Sequence, residues 1–200
     1  MSYEFSHIND ARSFIAGKLS EDSLLGRGGY MMRNALYVLD YKPEQEAFAQ
    51  DLLHAIYEFD LPARSVHPKI INLYDIVLAY LDEQGMWDAL VEAEADASRE
   101  ELIMMLQDTV SVRDVIAPAV NQAIAQDSEA DIVFICGVGE TFPYIRTHTL
   151  LQELQSKIPV VLMFPGRFER RSDGSTSLNI LNLDQGITGG YYRATRVFDL

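Results

Sequence analysis

The sequence contains little cysteine and little histidine. Cys136 is the only cysteine among 200 residues, so the chain can form neither an internal disulfide nor a zinc site built on paired cysteines. The four histidines are scattered without the spacing of metal ligands; they are His7, His54, His67 and His148. We therefore predict no metal site and no cofactor.

Long apolar runs are also missing. No stretch approaches the roughly 18 apolar residues of a membrane-spanning helix. The first seven residues, MSYEFSH, contain neither the basic region nor the apolar region of a secretory signal. We expect a soluble cytoplasmic protein that does not associate with membranes.

Basic side chains are outnumbered: the chain has 16 Lys and Arg against 30 Asp and Glu, a net charge of −14. Because phosphate binding depends on Lys and Arg, this balance disfavours a broad nucleic-acid surface. The 48% hydrophobic and 23% charged residues are typical of a globular protein. We predict a single domain over residues 1–200, long enough to bury a core.

Short apolar runs alternate with amphipathic helical patterns. Buried strands are predicted at 35–39, 132–136 and 160–164, and further strands at 63–71, 177–183 and 191–198. Helices are predicted at 12–19, 44–59 and 141–155. This order predicts an α/β fold with a mostly parallel sheet flanked by helices.

A helical segment at about 72–127 separates the early strands from the late ones. Asn72, Ser98 and Ser111 each precede an acidic residue by three positions, which is typical of a helix N-terminus. Gly85 ends one of these helices. Pro118 lies inside the last one and is expected to bend it or to loosen one backbone hydrogen bond.

The negative charge is concentrated in this helical segment. Residues 75–131 contain 14 acidic and 2 basic side chains, whereas residues 140–200 contain 7 basic and 6 acidic ones. The acidic helices are interpreted either as a solvated face or as a docking surface for a basic partner.

Candidate functional residues end three of the predicted strands. Parallel α/β sheets place ligand sites at the carboxyl ends of their strands. Asp40 and the segments 137–140 and 165–167 would therefore line one edge of the sheet. Structural turns explain these segments about as well as a ligand site does.

The Gly137–Gly139 turn occupies the position of a phosphate-binding turn between a strand and a helix. Phe142 stands where the third glycine of the dinucleotide pattern would fall, and Glu140 adds negative charge. A tight structural turn is therefore favoured. The alternative is a nucleotide- or phosphate-binding enzyme or sensor at this sheet edge.

No recognisable catalytic constellation is present. Cys136 is typical of a buried structural cysteine, and the sequence does not show that it lies near His148. Arg146 and His148 are two residues apart at a predicted helix start, so we expect them to point in different directions. We therefore predict that the protein is not an enzyme.

Aromatic and cationic residues alternate near the C-terminus, in Tyr191, Tyr192 and Arg193 and the residues that follow. They indicate either an ordinary β-strand or a stacking platform for nucleic acid. The net charge favours the ordinary strand. Direct DNA contact remains the alternative, through Arg167, Arg170, Arg171, Arg193 and Arg196.

Several segments together resemble one known family. They are LYVLDYKP from Leu36, CGVG from Cys136, TFPYIRTHTLL from Thr141, PVVLMFPGR from Pro159 and YYRA from Tyr191. In this order and combination they are similar to the BrxB family, small components of bacterial BREX phage-defence systems.

The resemblance implies action with the methyltransferase, the AAA+ ATPase and the PglZ-type protein of such a system, in host DNA methylation and phage restriction. It supplies no catalytic residues. We therefore expect a non-catalytic adaptor that binds another BREX protein, foremost the PglZ-type protein. The candidate functional or interaction cluster comprises Asp40, Gly137, Gly139, Arg146, His148, Gly166, Arg167, Tyr191, Tyr192 and Arg193.

Overall fold

A mostly parallel sheet forms the centre of the molecule in a computed structural model that describes residues 8–32, 35–170, 176–181 and 194–200. Its strands within these residues are β1 (Leu36–Tyr41), β2 (Pro68–Asn72), β3 (Ile132–Cys136), β4 (Val160–Arg170), β5 (Thr176–Ile180) and β6 (Ala194–Arg196). The order β2-β3-β4-β1-β6 is parallel throughout, and β5 pairs antiparallel with the last part of β4. The predicted α/β fold is confirmed.

Helices cover both faces of the sheet. They are α1 (Ile8–Leu19), α2 (Asp22–Leu25), α3 (Glu46–Ala55), α4 (Leu73–Glu83), α5 (Trp87–Asp96), α6 (Arg99–Thr109), α7 (Ala117–Gln126) and α8 (Thr147–Glu153). A π-helical turn at Ile56–Asp60 extends α3, and another at Val112–Ile116 precedes α7. In the part of the chain that the structure describes, no helix is long and apolar enough to cross a membrane.

The strand sequences explain the layered arrangement. Side chains of successive strand residues alternate between faces, so Leu39 and Met163 pack in the core under α1 and α3. Val38 and Leu162 pack in the opposite core, under α4, α7 and α8. Both faces are apolar, as expected for parallel strands that are buried on two sides.

The predicted helix starts are confirmed where polar side chains cap the helices. The side chain of Asn72 accepts a hydrogen bond from the Tyr74 backbone N–H at 2.9 Å. Ser98 and Glu101 form a reciprocal capping box. These bonds satisfy N–H groups that have no partner within the helix.

Ser111 likewise accepts a hydrogen bond from the backbone N–H of Asp114, which confirms the fourth predicted helix start. The π-helical turn then follows, immediately before Pro118 in α7. This change of hydrogen-bond pattern fits the prediction for Pro118, because proline has no N–H to donate within a helix.

Two predicted boundaries are wrong. The helix predicted at 141–155 begins only at Thr147, since the Thr141 hydroxyl donates to the Gly137 carbonyl and Pro143 disfavours helical backbone before it. The strand predicted at 160–164 continues through Pro165 to Arg170. It continues because β5 provides a new antiparallel neighbour there.

Other boundaries move by a few residues. Asp40 lies inside β1 instead of after it, and the strand predicted at 63–71 is confined to β2 after a short 3-10 turn at Pro62–Arg64. In the segment predicted as a strand at 191–198, β6 covers Ala194–Arg196, and a 3-10 turn follows it.

Candidate functional site

Asp40 occupies the carboxyl end of β1 and has two partners within the chain. Its carboxylate accepts a hydrogen bond from Arg196 Nε at 2.6 Å and another from the Phe168 backbone N–H at 3.3 Å. Asp40 is buried. Because both carboxylate oxygens are engaged, Asp40 links β1 to β4 and β6 and is poorly placed to transfer a proton to a ligand.

Gly137 allows the turn after β3 to approach the N-terminus of α4. Its φ of +80° lies in the left-handed region, which side chains rarely adopt. A Cβ at this position would collide with Asn72 Oδ1 and would lie 3.0 Å from the Leu73 backbone nitrogen. Close packing therefore accounts for Gly137 without any bound phosphate.

Gly139 serves the same turn, facing β4. A Cβ there would lie 3.3 Å from Pro165 Cγ, so little room separates the two segments. The buried Thr141 hydroxyl closes the turn by donating to the Gly137 carbonyl at 2.9 Å. These contacts support the structural interpretation of the Gly137–Gly139 turn.

The sheet edge around this turn carries negative charge. Burial raises the pKa of the Cys136 thiol to about 11, and the carboxylates of Glu140, Asp75 and Glu46 add to the shift. The thiol is therefore protonated at neutral pH and unsuited to nucleophilic attack. The same carboxylates would repel a phosphate ligand.

Gly166 and Arg167 lie where β4 begins to pair with β5. A Cβ on Gly166 would collide with the Asn179 carbonyl oxygen, so the two strands approach closely at this point. The side chain of Arg167 is exposed and contacts Glu169 at 3.3 Å. Arg167 is thus separate from the buried Asp40–Arg196 pair.

The arginines proposed for DNA contact differ in their surroundings. Arg196 is engaged by Asp40, and its guanidinium carbon lies 5.2 Å from the centroid of the Phe198 ring. This pairing leaves Arg196 poorly suited to contact a phosphate. Tyr191, Tyr192, Arg193 and Arg171 lie outside the described residues, as does the side chain of Arg170.

Arg146 and His148 line one cavity of about 210 Å³. Arg146 precedes α8 in an extended conformation (φ −88°, ψ 108°), so the helical spacing on which their expected divergence was based does not apply to it. The other lining residues described are Gln107, Phe142, Pro143, Ile145, Thr147, Phe164, Leu178 and Ile180.

Arg146 and His148 differ in charge at neutral pH. Among the described residues, no hydrogen bond or ion pair engages the guanidinium of Arg146, which is exposed to solvent. Burial lowers the pKa of His148, and the positive charge of Arg146 lowers it further. Of the described residues that line the cavity, Arg146 is therefore the one that carries a charge at neutral pH.

The residues that α6 and β5 contribute to the cavity were not predicted from the sequence. Gln107 comes from α6, and its Nε2 donates to the Pro143 carbonyl at 3.1 Å. Leu178 and Ile180 come from β5. No motif marks these residues, because they meet the Arg146 segment only through the packing of α6 and the pairing of β4 with β5.

Helices α5 and α6, here called the acidic helices, bury none of their residues. Leu90 and Leu106 attach them to the core. Large apolar side chains nevertheless remain exposed on them: Trp87, Val91, Met104 and Met105. Residues 87–109 hold seven acidic side chains and one basic one. No ion pair is formed by these charges within the described parts of the chain.

Comparisons with known proteins point to one family. A family model described as BREX protein BrxB matches residues 69–197. A protein from Bacillus cereus (strain H3081.97) named BREX protein BrxB is 25% identical over 198 residues, which is 96% of this chain and 98% of the relative. One with the same name from Escherichia coli O9:H4 (strain HS) is 25% identical over 191 residues, 92% of this chain and 88% of the relative. No solved structure matches the chain significantly.

Proposed function

The chain belongs to the BrxB family of BREX phage-defence proteins, and from that premise we propose that it is a non-catalytic adaptor that binds another component of its BREX system. The adaptor would support host DNA methylation and phage restriction. The PglZ-type protein is the first partner to test, followed by the methyltransferase and the AAA+ ATPase.

The surface of the acidic helices is the observation that carries this proposal. Val91 is 64% exposed and Met104 is 56% exposed, so folding of this chain alone removes little of their apolar surface from water. Contiguous apolar surface rimmed by polar residues is typical of protein interaction sites, and Trp87 and Val91, four positions apart, lie on the same side of α5. A partner that covered them would remove apolar surface from water.

The charge of this surface indicates the chemistry of the partner. Residues 87–109 have a net charge of −6, and their carboxylates lack ion-pair partners among the described residues. A basic protein surface would complement them and would speed association through electrostatic attraction. We therefore expect binding to weaken as salt screens the charges.

Co-purification of the tagged chain with the other BREX components at physiological salt tests the proposal. We expect one of them to be retained by the unmodified chain. The triple variant Glu92→Gln, Glu94→Gln and Glu100→Gln should retain much less of it, because these exposed carboxylates lie on the acidic helices.

A matched control removes three exposed carboxylates elsewhere, in Glu44→Gln, Asp51→Asn and Glu58→Gln. This control should retain the same BREX component as the unmodified chain does, although its net charge rises by the same amount as that of the first triple variant. A chain that stays a lone monomer when all components are present would refute the adaptor role. Equal losses in both triple variants would refute the assignment of the surface.

The nucleotide- or phosphate-binding enzyme or sensor has less support from the geometry. At the sheet edge proposed for it, Gly137 is explained by packing, and Glu140 and neighbouring carboxylates disfavour an anion. A thermal-shift screen with nucleotides and divalent metals tests this alternative. A ligand at 100 times its Kd would add about 2.7 kcal/mol to the stability of the chain.

A further inference from the structure

The cavity beside α8 lies on the opposite face of the sheet from Cys136. Phe164 and Ile145, which line the cavity, belong to the core under α4, α7 and α8. Cys136 packs in the core on the other face. Glu140 is only two positions from the lining residue Phe142 but does not itself line the cavity, so the ligand chemistry follows from the lining residues.

The walls of the cavity are polar and apolar in similar measure. Phe142 and Leu178 are half-buried and contribute aromatic and aliphatic surface, while Arg146 is exposed to solvent. A ligand that fits must therefore combine an apolar group with a polar one that reaches the guanidinium. Burial of the apolar group would provide the hydrophobic contribution to binding.

The size of the cavity limits the ligand. Pockets for drug-sized molecules are typically about 300–1,000 Å³, and the 210 Å³ found here is smaller. The cavity accommodates a single ring or a branched aliphatic group, and a larger ligand would extend out of it.

The charge in the cavity selects the polar group. Arg146 has no hydrogen-bond or ion-pair partner among the described residues, and a guanidinium can donate two parallel hydrogen bonds to a carboxylate. His148 is neutral at pH 7, so Arg146 is the one positive charge among the described residues that line the cavity. A monoanion matches this charge better than a phosphate dianion does.

We propose that the cavity binds a carboxylate carried on a compact apolar group, with the carboxylate on Arg146 and the apolar group against Phe142 and Leu178. Two sources present this chemistry, a free carboxylic acid and the C-terminal residue of a polypeptide. The exposure of Arg146 leaves room for a longer chain to extend from the cavity. The proposal does not depend on the adaptor role.

NMR titration of the purified chain with phenylacetate tests the proposal, and phenylacetamide is the matched neutral ligand. We expect phenylacetate to shift the resonances of His148 and Thr147 and to bind about tenfold more tightly than phenylacetamide, since charge-assisted hydrogen bonds are the stronger ones. Equal binding of the two ligands to the unmodified chain, or no binding of either, would overturn the proposal.

Two variants locate the charge that recognises the ligand. Arg146→Gln should abolish the preference for phenylacetate over phenylacetamide, whereas Arg167→Gln should preserve it, because Arg167 is an exposed arginine outside the cavity. A preference that survives in Arg146→Gln would assign recognition to another group and overturn the proposal. The comparison of the two ligands on the unmodified chain stands even where a variant fails to fold.

Peptides distinguish the two sources of the carboxylate. Acetyl-Gly-Phe with a free C-terminal carboxylate is compared with the same peptide as an amide. Stronger binding of the free acid form would support a polypeptide terminus as the ligand. If phenylacetate binds and the peptide with a free carboxylate does not, the ligand is a free carboxylic acid. If neither phenylacetate nor this peptide binds, the proposal is overturned.

Discussion

Arg196 Nε donates a hydrogen bond to Asp40 Oδ1 at 2.6 Å and so joins the last described strand to the first. The Asp40 side chain is 5% exposed and that of Arg196 is 25% exposed. The second carboxylate oxygen of Asp40 accepts a hydrogen bond from the Phe168 backbone N–H at 3.3 Å. Asp40, near the carboxyl end of β1, thus stabilises the fold by linking β1 to β4 and β6.

Replacement of Asp40 should therefore reduce stability strongly. We expect Asp40→Ala to lower the free energy of unfolding by about 2–3 kcal/mol, because it leaves the Arg196 charge partly buried without its partner. Chemical denaturation measures this loss. In a double-mutant cycle with Arg196→Ala, the two losses should not add.

Arg167→Ala is the control for this pair. Arg167 and Glu169 are both exposed, so removal of their ion pair should change the free energy of unfolding by no more than about 0.5 kcal/mol. Losses of equal size in Asp40→Ala and Arg167→Ala would contradict a structural role for Asp40.

Gly137→Ala should destabilise the chain for two reasons. Alanine pays about 1–2 kcal/mol in the left-handed region, and its Cβ displaces the Asn72 side chain that caps α4. We expect a total loss of about 2–3 kcal/mol in the free energy of unfolding, measured by urea denaturation.

Gly85→Ala separates these two contributions. Gly85 also has a positive φ, of +62°, but nothing lies within 4 Å of a Cβ added there. Its replacement should cost only the conformational contribution, about 1–2 kcal/mol. If Gly137→Ala cost no more than Gly85→Ala, close packing against Asn72 would not be the reason for glycine at position 137.

Alkaline pH should destabilise the folded chain through Cys136. Burial raises the pKa of its thiol from an ordinary 9.0 to about 11, so the folded state binds this proton more tightly than the unfolded state does. That stabilisation is complete below about pH 9 and is lost as the pH rises towards 11. Urea denaturation between pH 8 and pH 10.5 should show the decline.

The tyrosines contribute at higher pH. Burial raises the pKa of Tyr144 to about 12 and raises that of Tyr41 as well, so both tyrosines lower the free energy of unfolding as the pH rises above about 10.

Cys136→Ala separates the thiol from the tyrosines. In this variant the free energy of unfolding should decline less steeply between pH 9 and pH 10. An unchanged slope in that variant would rule out the thiol as its cause.

His148 should titrate below its usual pKa of 6.5. Burial is the main cause, and the charge of Arg146 adds to it. NMR titration of the imidazole signals should show this lowered pKa in the unmodified chain. In Arg146→Gln the pKa should rise part of the way back, since burial remains; a pKa that stays unchanged would show that the two side chains do not interact.

Much of the fold could be predicted from local sequence patterns. β3 has the predicted bounds because its five residues are apolar and all are buried. The helix starts at Asn72, Ser98 and Ser111 were predictable because a cap depends on residues within one turn of the chain. The bounds of β4 and α8 were not, since they depend on β5 and on the turn before α8.

The candidate site was less predictable than the fold. The sequence indicated Arg146 and His148, but their spacing suggested divergent side chains, because the extended backbone at Arg146 was not foreseen. Asp40 was predicted to lie at a sheet edge, yet its partner Arg196 is 156 positions away. Tyr191, Tyr192 and Arg193 lie outside the described residues and stay a prediction.

The sequence by itself determined the alternation of strands and helices, the concentration of negative charge in the middle of the chain and the resemblance to the BrxB family. These properties depend on composition, on short-range periodicity and on ordered motifs. Only the tertiary structure decided that Asp40 pairs with Arg196, that Gln107 and Ile180 meet Arg146 around one cavity, and that α5 and α6 bury none of their residues. Such relationships arise because folding brings distant segments together, and no local pattern encodes which side chains then meet.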